Sequence, residues 1–176
     1  MTVFNLKLTV VTLFILIVTI IFISCNNRQR NTSTTFVDFL TSGNISNLWL
    51  TIYHSPSFSL TREPISVEHL TGGWYDFRIA VSGNVLSNYI DLFQKFSTLE
   101  LTPLEGENYI NARLHYVFHT KEHGELLNVT VGGKHFLDIF VNDIAIEWNP
   151  FFLEIIMPFV PSRVADDWNW WIENPR

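Results

Sequence analysis

Six histidines are the residues of this chain best suited to chemistry. Histidine is the commonest metal ligand and changes charge near neutral pH. His115 and His119 stand four apart in an alternating stretch. On a regular strand that places them about 13 Å apart, too far to share one metal whose ligands each sit about 2 Å from it. His119 and His123 could meet across a turn at 121–125, with Glu122 or Glu125 beside them. They are the weak metal candidates, against the ordinary reading of solvent-facing hairpin residues. His54, His69 and His135 are isolated and read as loop histidines. Glu105 and Glu107 flank Gly106, and Asp166 and Asp167 are adjacent. A hydrolase needs its carboxylates fixed across a cleft, and neighbours on a loop read instead as solvated charge. There is no Gly-x-Ser-x-Gly, no phosphate-binding glycine loop and no dinucleotide fingerprint. The single cysteine, Cys25, excludes an internal disulfide and a cysteine-built metal cluster. No catalytic residue and no cofactor is therefore expected.

Two candidate surfaces remain. Arg78, Arg113 and His115 fall on the polar side of alternating segments, with Asn128, Thr130, Asp138 or Glu147 as company. They form a partner surface or simply the wet face of an antiparallel sheet. Trp168, Trp170 and Trp171 crowd four positions near the C-terminus. Three indoles are costly to leave in water, so they close the core as a staple or dock a partner, a glycan or a lipid interface.

The elements that must position these residues follow from periodicity. Residues 36–41 are a short apolar stretch that could pair or dock. Leu48 to Tyr53 is rich in β-formers and predicts a strand. His54 to Gly73, with Pro56, Pro64 and Gly72-Gly73, predicts a connection, in which Ile65 to Leu70 could form a half-turn or a short extended piece. Tyr75 to Val81 alternates, with Tyr75, Phe77, Ile79 and Val81 on one side. Leu86, Tyr89, Ile90, Phe93 and Phe96 recur at helical spacing and predict an amphipathic helix over 85–99, capped by Asn84. Strands follow over 109–120 and 126–131, joined through Gly124. Two more, over 136–141 and 144–148, flank Asn142-Asp143, a hairpin signal. Pro150 opens an apolar helix to Phe159. This order predicts an α+β domain: an antiparallel sheet meander with an amphipathic helix on one face and a second short helix near the C-terminus.

The N-terminus has a different character. Leu8 to Ile23 is apolar except for three threonines, a run of 16 residues behind Lys7. That is short for a membrane span of about 20 residues and fits the apolar region of an export signal. Phe22-Ile23-Ser24-Cys25 follows, then a polar stretch over 26–35. With residues 1–24 removed, 152 residues remain. They keep 10 Lys+Arg, Lys7 having been lost, against 17 Asp+Glu, a net charge of −7. Such a balance does not attract nucleic acid or an anionic membrane surface.

These residues resemble the lipobox and tether of small bacterial lipoproteins, with Phe22 standing where leucine is usual. The resemblance extends loosely over 48–160, through Ser82-Gly83-Asn84 after an alternating strand and the aromatic-rich run from Asn111 to Phe118. It implies a signal peptide over 1–24 and diacylglyceryl attachment at Cys25. It also implies a polar tether over 25–47, a single domain over 48–176, and a location on the outer face of the cytoplasmic membrane. The alternative is an uncleaved single span, whose orientation Arg28 and Arg30, against Lys7 alone, would bias toward a cytoplasmic C-terminal side. The function expected is a non-enzymatic binding or interaction module of the cell envelope, with a protein or small ligand as partner. An envelope hydrolase or metal-binding protein using histidines and carboxylates is the alternative.

Overall fold

The computed structural model describes residues 36–43, 45–56, 63–105, 110–133 and 137–173. Residues 1–35, which include the apolar segment and Cys25, lie outside the described residues.

Six strands form one antiparallel sheet: β1 (Leu48–His54), β2 (Phe77–Ser82), β3 (Ala112–Thr120), β4 (Gly124–Gly132), β5 (Asp138–Val141) and β6 (Ile144–Ile146). Their order across the sheet is β2-β1-β3-β4-β5-β6. The α+β architecture expected from periodicity is therefore the one observed. Alternation fixes the register. Leu50 lies between Val81 and Phe118, and Ile52 between Ile79 and Tyr116, so one face collects the apolar residues. Asn142 and Asp143 both take positive φ, 50° and 65°, as a two-residue hairpin requires.

Short helices cover the apolar face. Residues 36–41 form the first, α1. After β2 come α3 (Gly83–Leu86) and α4 (Ile90–Gln94), and after β6 come α5 (Phe151–Glu154) and α6 (Ser162–Glu173). A further turn, α2 (Val67–Thr71), sits between β1 and β2. The core is aromatic. Phe36 meets Phe96 edge-on at 5.4 Å and tilts against Phe118 at 4.7 Å. Phe93 meets Phe118 at 5.3 Å, and Phe96 meets Phe151 at 5.1 Å. Such edge-to-face pairs add to the stabilisation from burial alone. Tyr116 is fully buried and donates its hydroxyl proton to the Phe152 carbonyl at 2.9 Å, which ties β3 to α5. Phe36 and Leu40, placed ahead of the domain by the sequence reading, belong to its core.

Three expectations change in detail. The helix over 85–99 is a chain of short pieces, with 3-10 turns at Ser87–Tyr89 and Lys95–Thr98. Ser87, Ser97 and Thr98 each donate a hydroxyl proton to the carbonyl three residues earlier, at 2.7–2.9 Å. Those hydroxyls compete with the backbone for its helical acceptors. Its N-cap is Ser82 rather than Asn84. The C-terminal tail, which shows no clear period, is the 12-residue helix α6. Among the described residues no helix is long and apolar enough to cross a membrane.

The two sheet edges differ. Residues 102–104 lie along β6: Leu104 N–H donates to the Ala145 carbonyl, and Glu147 N–H to that of Thr102, both at 2.9 Å. Among the described residues no strand pairs the outer side of β2. The start of α3 instead meets the 3-10 turn Ile45–Asn47 so closely that only glycine fits at 83. A β-carbon there would collide with the Ile45 carbonyl oxygen and lie 2.6 Å from the Ser46 carbonyl carbon. The obstacle is backbone, which cannot step aside as a side chain would. Gly83→Ala is expected to destabilise the domain by about 3 kcal/mol, the upper part of the overpacking range. Urea unfolding checks this, and a loss under about 1 kcal/mol would contradict the close approach.

Candidate binding surface

The face of the sheet opposite the core carries Arg78, Arg113 and His115 of the sequence-predicted site residues. One rung crosses every strand: Arg78, Tyr53, His115, Thr130, Phe140 and Ala145 are successive partners from β2 to β6. Arg78 donates from Nε to the Tyr53 hydroxyl at 3.2 Å, and its guanidinium carbon lies 5.5 Å from the centre of the Tyr53 ring. The Tyr53 ring tilts toward His115 at 6.4 Å, and His115 Nδ1 is hydrogen-bonded to Thr130 Oγ1 at 2.9 Å.

This face is less open than the sequence suggests. Arg78 is exposed, but Arg113 and His115 are buried, at 4% and 6% exposure. The connection between β1 and β2 causes this. Its described parts, 55–56 and 63–76, run back along the start of β3. Ser55 N–H donates to the Arg113 carbonyl at 2.7 Å, and Ala112 N–H donates to the Ile65 carbonyl at 2.8 Å. The Asn111 side chain accepts from Ile65 N–H at 3.0 Å. Arg113 turns its Nη1 to the Pro56 carbonyl at 3.2 Å. Ser66 caps α2 by accepting from His69 N–H at 3.2 Å, and the helix ends as Gly72 N–H bonds to the Glu68 carbonyl at 2.8 Å. Ile65, Leu70 and Ala112 then make a small second core against Tyr53. The half-turn expected at Ile65 to Leu70 is this helix.

Burial sets the charge of the covered groups. It pushes the His115 imidazole down to about 4, with the Glu68 carboxylate above it pulling weakly the other way. Burial also lowers the pKa of the Arg113 guanidinium. Glu68 is held below the usual carboxylate range, first by its hydrogen bond with Ser66.

The other candidates part company. His119 Nε2 is hydrogen-bonded to Thr51 Oγ1 at 3.2 Å on the second face. His123 turns toward Phe39 of α1, ring centres 6.3 Å apart. The two histidines thus diverge, and among the described residues no three His, Cys, Asp or Glu side chains gather where they could hold one ion. His135 and Glu107 lie outside the described residues. A shallow cleft of about 250 Å³ opens beside His123, walled by Phe39, Asn47, Trp49 and Lys121. Trp168 is fully buried. It packs against His54 at 5.6 Å as the staple arrangement requires, and so is withdrawn from any surface. Trp170 and Trp171 fall on α6, and their side chains lie outside the description.

Sequence reasoning missed two groups. His54 Nδ1 lies 3.0 Å from Asp76 Oδ1, while its ring stacks on Phe77 at 4.8 Å. The pair has the look of a catalytic base with its orienting acid, but His54 is 3% exposed and packs on the core side. It fastens the end of β1 to the start of β2, helped by Asp76 N–H bonding to the His54 carbonyl at 2.8 Å. The second group is an aromatic corner. Trp74 is 59% exposed and stacks on His69, and Tyr75 meets Tyr53 edge-on at 5.6 Å. The Gly72-Gly73 pair beside exposed aromatics was the available signal.

No protein-family model, curated protein or solved structure matches the chain.

The buried His115 has a consequence for pH. Its pKa is depressed on folding, so the unfolded chain takes up a proton near pH 6.5 and the folded one only near pH 4. The stability conferred by neutral His115 is present in full above pH 6.5 and is lost as pH falls toward 4. The loss is roughly 3 kcal/mol at most. Unfolding free energies at pH 7 and pH 4.5 should therefore differ less in His115→Gln than in the wild type. Parallel pH profiles would show that His115 is protonated in the fold.

Proposed function

We propose that this chain is an exported, lipid-anchored binding module of the cell envelope, with no catalysis of its own. Export and anchoring are supported by the 16-residue apolar run, Leu8 to Ile23, by Ser24-Cys25 directly behind it and by the polar stretch that follows. The binding role is supported by one observation above the others. At the β2 corner of the second face, Trp74 and Tyr75 stand in solvent on a rigid base of paired side chains. Large exposed aromatics held in place are what binding surfaces use as anchors. The acidic balance of the chain turns the reading away from nucleic acid. The buried positions of His54 and His115 support binding over hydrolysis, since both are walled off from a substrate.

Two measurements test the two halves. Radiolabelled palmitate should enter the wild type and not Cys25→Ala; equal label in both would end the lipoprotein reading. Hydroxyl-radical footprinting should find Trp74 and Tyr75 less oxidised in intact membranes than in detergent-purified protein, with Trp49 unchanged. Equal oxidation of Trp74 in both would count against a binding role for this corner.

A further inference from the structure

We infer that the outer edge of β2 pairs with β2 of a second copy of this chain, antiparallel and about a twofold axis at Ile79. This names the partner of the binding corner described above and rests on that reading.

The phase of the hydrogen-bond ladder shows what the edge offers. Ser55 N–H bonds to the Arg113 carbonyl, in register with the pairing of β1 and β3. In an antiparallel ladder, alternate residues of a strand bond to a given neighbour. Trp49, Thr51 and Tyr53 therefore bond to β3, and Leu50, Ile52 and His54 bond to Val81, Ile79 and Phe77 of β2. The peptide groups of Arg78 and Ala80 are left pointing outward, and among the described residues no strand takes them up. Both residues are exposed. Edge strands are usually guarded by proline or lysine, and β2 has neither. Its one charge, Arg78, is engaged by the Tyr53 hydroxyl of β1 at 3.2 Å.

Self-pairing fits this edge. With Arg78 of each copy opposite Ala80 of the other, the two N–H and two C=O groups of each strand make four bonds with none left over. Ile79 then faces Ile79, and Phe77 faces Val81, on the apolar side of the sheet. Phe77 and Ile79 are only half-buried, whereas Leu50 and Ile52, one strand further in, are fully buried. The apolar row thus stops unfinished at this edge, and a second copy continues it. The two neighbouring symmetric registers are poorer. One sets Arg78 directly against Arg78, which is repulsive. The other sets Arg78 against Ser82, where the chain already turns into α3.

The exposed apolar residues follow the same symmetry. Trp74 and Tyr75 come just before β2, and Val85 comes just after it; all three are exposed. Antiparallel pairing sets the start of one strand beside the end of the other. The aromatic pair of each copy is thereby brought to the end of the strand that leads into Val85 of the other, and the twofold axis repeats the match.

The test is sedimentation equilibrium of the full-length protein in density-matched detergent. The wild type should form a dimer whose population rises with concentration. Ala80→Lys sets a cation opposite Arg78 of the second copy and should weaken the dimer about tenfold or more, since each contact occurs twice. Ala80→Glu sets a carboxylate there and should hold the dimer as tightly as the wild type or more so. Ala80 is exposed, and equal melting temperatures at a dilution where all are monomeric confirm that the fold is kept. A wild type that stays monomeric at millimolar concentration overturns the inference, as does a dimer that Ala80→Lys leaves intact or Ala80→Glu weakens. Footprinting the detergent sample at the same dilution separates the two readings. If the wild type is monomeric while Trp74 is protected in membranes, the self-pairing falls and the binding corner stands. If neither is seen, both fall.

Discussion

Beyond His54 the chain has to cross from the end of β1 to the start of β2, and the route it takes decides the character of one whole face of the sheet. The peptide groups of Ser55 and Ile65 are joined to the start of β3 by N–H to carbonyl bonds with Arg113 and Ala112. Buried backbone groups must be paired, so this segment cannot lift away without stranding donors and acceptors on β3 as well as its own. α2 is held over Tyr53 and His115 as a result, and the turn after α2 delivers Trp74 and Tyr75 to the corner. The burial of Arg113 and His115 and the exposure of the aromatic pair are two results of one crossing.

The strands were legible because alternation is a local property. In β1, Leu48, Leu50 and Ile52 point to the core while Trp49 and Tyr53 do not, and the same period carries through β2 and β3. The Asn142-Asp143 turn was equally plain, since both residues tolerate the positive φ it needs. The burial of His115 was not legible. On β3 it occupies the polar phase of the pattern, and what covers it comes from a segment with too few periodic residues to announce a helix. α2 is five residues long and is stabilised by a cap and by Leu70 rather than by any repeat. A short helix of this kind depends on tertiary packing.

The apolar spacing over 85–99 correctly named the residues that face the core, Leu86, Phe93 and Phe96 among them. It could not show how the backbone between them would be wound, because hydroxyl groups at 87, 97 and 98 draw on carbonyl oxygens that a regular helix would use. Trp168 shows a related limit. Its burial is decided by contact with His54, more than a hundred positions away in the chain. Composition signals that such an indole wants cover, and only the fold says which element supplies it.

The unequal edges of the sheet bear on how copies of this domain can associate. The segment at 102–104 already occupies the outer hydrogen-bonding groups of β6, so that side has no row of free donors and acceptors to offer. Strand-to-strand growth needs two open edges per molecule, one to receive and one to extend. Among the described residues β2 is the sheet edge without a partner, and joining through one such edge saturates at a pair. Sealing β6 therefore works against fibrous aggregation, whatever the concentration at which the domain is held.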